Sequence, residues 1–172
     1  MSRLQEILDF TWIIENEIAA CAHPLRATNY GFDWEEIVKF FQEQKISAVI
    51  TLAHEWPLND DEIAVLKRHN IDYLFIPIRD FSIPRNDSLI DSFLNYTRKL
   101  RQEKKAFLVH CYAGCGRTGL MTVIYLMDKC MTLDEAFEFA LEKRFCFAAL
   151  PNTEVQWKFL QEYATKIGKN SK

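Results

Sequence analysis

The chain has 172 residues, of which 49% are hydrophobic and 26% are charged, and its formal net charge is −3. These values favour one globular domain over residues 1–172 and exclude a strongly basic protein that binds nucleic acid. No apolar run approaches the roughly 20 residues of a membrane span, and the first residues lack the apolar core of a signal peptide.

The predicted elements alternate between strands and helices. In chain order they are a strand pair within 11–20 that turns at 15–16, a helix over 33–44, a buried strand over 46–52, a helix over 60–69 and a strand over 71–78. Next come a helix over 89–104, a strand over 106–109 and an apolar helix over 120–127. A capping box at 132–135 begins a further helix that ends near 144. The last helix spans about 153–166, and the tail from about 168 is expected to be frayed. This alternation predicts an α/β fold with a mainly parallel central sheet flanked by helices on both sides.

The segment 107–119 carries most of the chemical information. It reads Phe-Leu-Val-His-Cys-Tyr-Ala-Gly-Cys-Gly-Arg-Thr-Gly, so a short strand leads through a small-residue loop into a helix. Such a loop turns backbone N–H groups inward, and the helix dipole adds positive charge, which together make an anion site. Gly114 and Gly116 permit the positive φ angles that the loop demands. The Arg117 guanidinium at the helix start can bind two phosphate oxygens.

Cys111 lies at the focus of this positive field, which favours its thiolate form and makes it a candidate nucleophile. We expect His110 to orient the loop and not to act as a base. We expect Thr118 to donate its hydroxyl to the sulfur when the phospho-enzyme breaks down. The phosphate is expected to rest on the loop residues themselves, namely Tyr112, Ala113, Gly114, Cys115, Gly116 and Arg117.

Two other interpretations of this segment fit less well. A buried structural cysteine in an ordinary turn does not require two glycines, an arginine and a threonine at these positions. A nucleotide-binding loop of the Walker type requires Gly-Lys before Ser or Thr, and here Arg117 occupies the position of the lysine.

The run His110-Cys111-x5-Arg117-Thr118-Gly119 resembles the signature loop of the cysteine-dependent protein tyrosine phosphatase superfamily. The chain is similar in size to the small atypical dual-specificity phosphatases, and the likeness extends from about Phe10 to Tyr163. The resemblance implies a Cys-x5-Arg loop between a strand and a helix, a cysteinyl-phosphate intermediate, and hydrolysis of phosphotyrosine, with phosphoserine and phosphothreonine as further substrates. It implies no cofactor and no metal.

A general acid is also needed, to protonate the leaving oxygen from the side opposite the nucleophile. The superfamily that the chain resembles carries its acid on a mobile loop upstream of the cysteine, and Asp80 lies in a proline-bounded loop 31 residues before Cys111. Asp87 is a weaker candidate because it is better interpreted as a helix N-cap, and Asp72 lies at the opposite end of its strand. An aspartate that only caps its own turn is the alternative interpretation of Asp80.

Two C-terminal features complete the predicted site. Related phosphatases place a glutamine on the corresponding helix, where it orients the hydrolytic water, and Gln156 matches that position. An exposed helical glutamine without a function is an equally good interpretation. Where relatives have Arg-Pro-Gly, residues 144–151 read Arg-Phe-Cys-Phe-Ala-Ala-Leu-Pro. This stretch is either an apolar rim of the site or a loop packed into the core.

The loop residues also limit the substrate. Inositide-directed relatives carry lysines where this chain has Tyr112 and Cys115, so we expect a phosphorylated protein and not a polyanionic headgroup. Two alternatives stay open: a phosphoprotein-binding or scaffold module of the same fold, and a phosphatase for a non-protein phosphomonoester. We expect a monomer that binds neither nucleic acid nor membrane.

The chain contains five cysteines, at positions 21, 111, 115, 130 and 146. Their odd number and irregular spacing favour a reduced, cytoplasmic chain, and they fit no zinc site. Cys115 is either a small residue that fills the loop or a partner that traps oxidised Cys111 in a reversible disulfide.

Overall fold

The structure, a computed structural model, describes residues 2–169. One sheet has the strand order β1-β2-β5-β3-β4. Its strands are β1 (Thr11–Ile14), β2 (Ile18–Cys21), β3 (Ile46–Ala53), β4 (Asp72–Ile78) and β5 (Ala106–His110). β1 and β2 pair antiparallel, and the other three pairs are parallel. The predicted mainly parallel sheet is therefore confirmed, and β5 lies at its centre.

Helices cover much of the remaining chain between residues 2 and 169. They are α1 (Arg3–Leu8), α2 (Trp34–Glu43), α3 (Asp60–Arg68), α4 (Asp87–Gln102), α5 (Gly116–Asp128), α6 (Leu133–Lys143), α7 (Ala149–Asn152) and α8 (Glu154–Lys166), with 3-10 helices over Pro24–Tyr30 and Phe145–Ala148. The six predicted helices correspond to α2–α6 and α8. The other helices lie outside the predicted elements because such short runs show too little hydrophobic periodicity.

Side-chain caps fix the beginnings of several helices. Asp33, Asn59 and Thr132 each close a capping box, at the starts of α2, α3 and α6. α4 begins earlier than predicted because Asn86 is its N-cap. Asp87, predicted to be that cap, is instead the first residue of the helix, and its carboxylate pairs with Lys166.

Strand residues alternate between two buried cores, as the period-two geometry of a strand requires. Phe107 and Val109 of β5 belong to a core that α4, α5, α6 and α8 complete. Leu108, between them, belongs to a second core that α1, α2 and α3 complete. Helices therefore cover both faces of the sheet, as predicted.

The end of the chain stays attached to the fold as far as it is described. The backbone N–H of Lys169 donates to the carbonyl of Ala164 at 2.8 Å, and the carbonyl of Lys169 accepts from the N–H of Leu133 at 3.0 Å. Residues 170–172, where the predicted frayed tail ends, lie outside the described residues. Within residues 2–169, no helix is both long enough and apolar enough to cross a membrane.

The parallel pairing decides where polar residues meet. β5, β3 and β4 are neighbours that run in the same direction, so their carboxyl ends share one edge of the sheet. Cys111 follows β5, Glu55 follows β3 by two residues, and Asp80 follows β4 by two residues. Ligand sites of open α/β sheets form at this edge.

Candidate active site

The loop between β5 and α5 holds the candidate nucleophile in a buried position. Cys111 is only 3% exposed. Gly114 has a φ of +73°, and a side chain there would collide with the Cys21 carbonyl, so only glycine fits. Gly116 differs from its prediction: its φ is not positive, and it is the first residue of α5. A Cβ there would lie 3.2 Å from Oε1 of Gln156, so Gly116 is needed for close approach.

The start of α5 is open to an anion. Cys115 is the N-cap residue and makes no side-chain cap hydrogen bond. The first N–H groups of a helix have no partner within the helix, and the helix dipole makes this end positive. The loop and the helix end together therefore present donors toward the space above Cys111.

The side chain of Arg117 is buried, at only 2% exposed, and polar contacts hold it in place. Its Nη1 donates to the Ile78 carbonyl at 2.9 Å and to Oε2 of Glu55 at 2.8 Å. Its Nη2 lies 3.1 Å from Oδ1 of Asp80. Nε is buried and has no hydrogen-bond partner among residues 2–169. A buried donor without an acceptor is costly, so Nε is suited to a phosphate oxygen.

Glu55 is a site residue that the sequence analysis missed. In addition to its bond with Arg117, its Oε1 accepts the backbone N–H of Asp80 at 3.0 Å. Burial is the largest influence on this carboxyl and raises its pKa, but the hydrogen bonds from Arg117 and from backbone N–H groups outweigh burial and lower the pKa to about 2. Glu55 thus joins Arg117 to the acid loop as a permanent anion. The sequence signal that could have identified Glu55 is its position just after a buried strand, at the edge of the sheet where ligand sites form.

Asp80, the predicted acid, faces the same space from an exposed loop. Its side chain is 56% exposed and its Oδ1 contacts Arg117. The same oxygen accepts the N–H of Phe81 at 3.1 Å, so Asp80 bonds to its own turn, as the alternative interpretation expected, and its role as the acid stays a prediction. Neither Asp87 nor Asp72 lines the cavity that contains Cys111.

His110 lies behind the loop and is fully buried. Its Nδ1 donates to the Cys111 carbonyl at 3.1 Å, and the Thr51 hydroxyl donates to its Nε2 at 2.8 Å. Burial, followed by the proximity of His23, lowers the pKa of His110 to about 3. A neutral ring fixed at both nitrogens is consistent with the orienting role that we expected.

Thr118 and Gln156 are both buried. The Thr118 hydroxyl has no hydrogen-bond partner among residues 2–169, so its bond to Cys111 during breakdown of the phospho-enzyme stays a prediction. Gln156 is only 1% exposed, which makes the interpretation as an exposed glutamine wrong. Its Nε2 donates to the Ser82 carbonyl at 2.9 Å, and its Oε1 is buried without a partner in the described chain.

A cavity of about 270 Å³ brings most of these residues together. The predicted residues that line it are Asp80, Cys111, Tyr112, Ala113, Cys115, Gly116, Arg117 and Gln156. Ala149, from the stretch 144–151 that was predicted as a possible rim, also contributes, as do Phe81 and Thr153, which were not predicted. His110, Gly114 and Thr118 are not among the lining residues and lie in the supporting layer.

Cys115 forms a disulfide with Cys146, with their Cα atoms 5.4 Å apart. Cys111 is a free thiol. The proposed Cys111–Cys115 pairing is therefore not the one found, and the expectation of a fully reduced chain is also wrong. The error arose because the sequence did not show that the segment after α6 returns to the loop.

Arg144 explains this return. It is buried, its Nε donates to the Gly114 carbonyl at 2.8 Å, and its Nη2 lies 2.8 Å from Oδ2 of Asp9. After it, Phe147 is buried while Phe145 is exposed. The interpretation as a loop packed into the core thus holds for Phe147, and the interpretation as a rim holds for Ala149, which lines the cavity. Between residues 2 and 169, no three His, Cys, Asp or Glu side chains are arranged to hold a metal ion.

Comparison with known proteins places this geometry in a family. The family described as dual specificity phosphatase, catalytic domain, matches residues 32–166. A protein of Amsacta moorei entomopoxvirus named as a tyrosine-protein phosphatase is 33% identical over 115 residues, which cover 64% of this chain and 66% of the relative. Protein tyrosine phosphatase type IVA 2 of Mus musculus is 31% identical over 110 residues, covering 62% and 64%.

Each match spans just under two thirds of the relative's length. Among solved structures, Tk-PTP in its active form has a TM-score of 0.68 at 25% identity, over 89% of this chain and 96% of that one. The matched residues 32–166 contain Cys111, Arg117, Asp80 and Gln156. The chain therefore belongs to the dual specificity phosphatase catalytic domain family, within the cysteine-dependent tyrosine phosphatase superfamily.

Proposed function

We propose that this protein is a phosphatase that hydrolyses phosphotyrosine in proteins, and also phosphoserine and phosphothreonine, through a cysteinyl-phosphate intermediate. The observation that carries the proposal is that Cys111, Arg117 and Asp80 line one cavity. A nucleophile, an anion-binding group and a proton donor are the three parts that the reaction requires.

In the first step, a phosphate enters above Cys111 and accepts hydrogen bonds from Nε of Arg117 and from N–H groups of the loop. The thiolate attacks phosphorus, the P–O bond to the leaving group breaks, and Asp80 transfers its proton to that oxygen. The phosphate competes with Asp80 for Arg117, because both anions use the same guanidinium. A phosphate that displaces the Asp80 carboxylate from Arg117 leaves it free to take up a proton from solvent, and this protonated form donates to the leaving oxygen.

In the second step, water attacks the cysteinyl-phosphate. Asp80 accepts a proton from that water, the P–S bond breaks, and Cys111 leaves as a thiolate. Oε1 of Gln156, buried without a partner in the described chain, is available to accept a hydrogen bond from the water. The Thr118 hydroxyl, also without a partner there, is available to the sulfur.

The rim of the cavity supports phosphotyrosine as the preferred substrate. Phe81 and Tyr112 both line the cavity and are both largely exposed. Two aromatic rings at the mouth can pack against the phenyl ring of a phosphotyrosine, which phosphoserine and phosphothreonine lack.

The alternative of a phosphoprotein-binding module is not favoured, because the nucleophile, the arginine and the acid are all present in one cavity. Three of the five cysteines, Cys21, Cys111 and Cys130, are free thiols, which supports action in the reducing cytoplasm. The Cys115–Cys146 disulfide is the observation that does not fit a reducing compartment. A monomeric state and the absence of nucleic-acid and membrane partners stay predictions.

The first experiment is hydrolysis of para-nitrophenyl phosphate by the wild type and by Cys111→Ser, with and without EDTA. We expect turnover by the wild type that resists the chelator and is abolished by Cys111→Ser, while inorganic phosphate still protects the variant from thermal unfolding. Wild-type turnover that survives Cys111→Ser would contradict the thiol mechanism. Phosphate binding by folded, reduced wild type without any turnover would indicate a binding module instead.

A further inference from the structure

A second, larger cavity adjoins the catalytic one. It has a volume of about 940 Å³ and shares Tyr112 and Ala113 with the catalytic cavity. Its far wall is the 3-10 helix over Pro24–Tyr30, and Trp56, just after β3, forms another side. We call this space the aromatic groove, defined by Leu25, Arg26, Tyr30, Trp56, Tyr112 and Ala113.

The aromatic groove presents large side chains to solvent. Tyr30, Trp56 and Tyr112 are 48%, 57% and 59% exposed. The rings of Trp56 and Tyr112 have their centroids 6.3 Å apart at an interplanar angle of 33°. Clustered exposed aromatic residues mark binding surfaces, since each ring offers a large apolar area at a low cost in conformational entropy.

The groove is held in a fixed position relative to Cys111. The ring of His23 is hydrogen bonded through Nε2 to the Trp56 carbonyl at 2.9 Å, and the His23 N–H donates to the Tyr112 carbonyl at 2.8 Å. The same ring packs edge to face against His110 at 4.8 Å between centroids. His23 thus ties the 3-10 helix and the segment at Trp56 to the phosphate loop.

Charge identifies the chemistry of the occupant. Arg26 lines the groove, is exposed, and forms no ion pair with any residue of the described chain. The groove therefore offers three aromatic rings and one free cation beside a site for a phosphomonoester. A peptide with an aromatic or large aliphatic residue and a carboxylate near its phosphorylated residue matches both features.

We propose that the aromatic groove is a specificity site that binds the substrate segment next to the phosphorylated residue, with an apolar side chain against Trp56 and Tyr112 and a carboxylate at Arg26. This inference rests on the proposed phosphatase function and extends it from the phosphorylated residue to its neighbours. It makes the preferred substrate a phosphotyrosine protein whose flanking residues are aromatic and acidic.

The test uses phosphotyrosine peptides with Phe and Glu on the N-terminal side, with Phe and Glu on the C-terminal side, or with Gly on both sides. We expect kcat/KM for one of the Phe-Glu peptides to exceed that for the Gly peptide by about 10-fold to 100-fold, the range for partial burial of one aromatic side chain. Trp56→Ala should remove most of this gain. Phe145→Ala, which removes an exposed ring outside the groove, should retain it.

Charge reversal gives the sharper result. Arg26→Glu should change the preference from Glu-containing to Lys-containing peptides, whereas Lys39→Glu, the same charge change on α2, should not. Para-nitrophenyl phosphate has no flanking residues that could reach Trp56 or Arg26, so it reports separately on the catalytic machinery. If all variants hydrolyse it but no flanking preference exists, the groove proposal is wrong and the phosphatase function stands.

If the wild type does not hydrolyse para-nitrophenyl phosphate, the phosphatase function itself is contradicted. A dependence on Arg26 seen only with soluble inositol phosphates, and with none of the peptides, would also overturn the proposal. That result would assign the groove to a polyanionic headgroup instead of a peptide.

Discussion

The two sides of the catalytic cavity are built in opposite ways. On one side, Cys111 and Arg117 are almost completely buried in the loop between β5 and α5. On the other side, Asp80 and Phe81 are exposed and lie on a short loop after β4. Phosphate binding and nucleophilic attack thus depend on a preorganised part of the fold. The proposed proton transfer depends on an exposed carboxyl group whose polar contacts are with Arg117 and, through its own backbone N–H, with Glu55.

This difference has a chemical consequence. The contacts that hold Asp80 use Nη2 of Arg117 and Oε1 of Glu55. An incoming phosphate competes for the guanidinium, so the acid side can rearrange when substrate binds, while the buried side needs no rearrangement. The following predictions test each side separately, starting with the largest expected effect.

Asp80→Asn removes the proposed proton donor but keeps the shape of the exposed side. We expect kcat for a phosphotyrosine peptide to fall about 10³-fold, within the range for loss of a general acid. We expect a loss of only about 10-fold for para-nitrophenyl phosphate, because its leaving group needs less protonation. Steady-state kinetics with both substrates measures the ratio of the two losses.

Asp87→Asn is the matched control for Asp80→Asn. It makes the same change seven positions later, on α4, outside the cavity. Its kcat should stay within about twofold of the wild type, as expected for a surface change away from the site. Equal losses for the two variants, or equal losses of Asp80→Asn on both substrates, would rule out Asp80 as the acid.

The same contrast explains what could be predicted from the sequence. The buried side is contiguous in the chain, so residues 110–118 were enough to predict its candidate nucleophile, its arginine and most of the residues that line the cavity around Cys111. The order of strands and helices also predicted the fold, because the hydrophobic pattern of each element can be recognised within its own short segment. Asp80 was predictable only through resemblance to a family, because an isolated aspartate in a loop carries no chemical signature.

What the sequence could not provide is the pairing of distant segments. Glu55 contacts Arg117 only because β3 lies between β5 and β4, and strand order is not encoded in any local pattern. Cys146 reaches Cys115 for a similar reason: Arg144 anchors the segment after α6 to Gly114 and Asp9. Both contacts depend on tertiary structure, and both were missed.

Cys146→Ser tests how the buried side is attached to the rest of the fold. The Cys115–Cys146 bond closes a loop with a sequence separation of 31. Its loss should lower the free energy of unfolding by about 3.7 kcal/mol, the chain-entropy value for a loop of this length. Turnover should change little, since Arg117 and Arg144 still hold the loop. Urea unfolding under non-reducing conditions measures the difference.

Cys130→Ser is the control, because Cys130 is an exposed free thiol and its loss should leave stability unchanged. A reducing agent should lower the stability of the wild type by the same amount as Cys146→Ser, and should have no further effect on that variant. If reduction does not destabilise the wild type, the disulfide does not contribute to the folded state in solution.

The smallest effect concerns the support beneath the nucleophile. Because burial lowers the pKa of His110 from 6.5 to about 3, the unfolded chain binds a proton at this residue between these two pH values and the folded chain does not. The free energy of unfolding should therefore fall as the pH falls below about 6.5, by up to about 1.4 kcal/mol per pH unit from this group. His23, whose pKa burial also lowers, adds to the slope in the same direction.

Urea unfolding between pH 7 and 5 reports mainly on the histidines, because the Glu55 carboxyl, with a pKa of about 2, is ionised in the folded state and is still mostly ionised in the unfolded chain over this range. His110→Gln should reduce the slope but not remove it, since His23 remains. Where that variant does not fold, NMR titration of the wild type gives the answer directly. The ring signals of His110 should not shift between pH 7 and 5, because the buried imidazole between Thr51 and the Cys111 carbonyl stays neutral. A titration midpoint near 6.5 would mean that the ring beneath Cys111 is protonated in the folded protein. The buried side would then not be the fixed part of the site, and its contrast with the adaptable exposed side would be wrong.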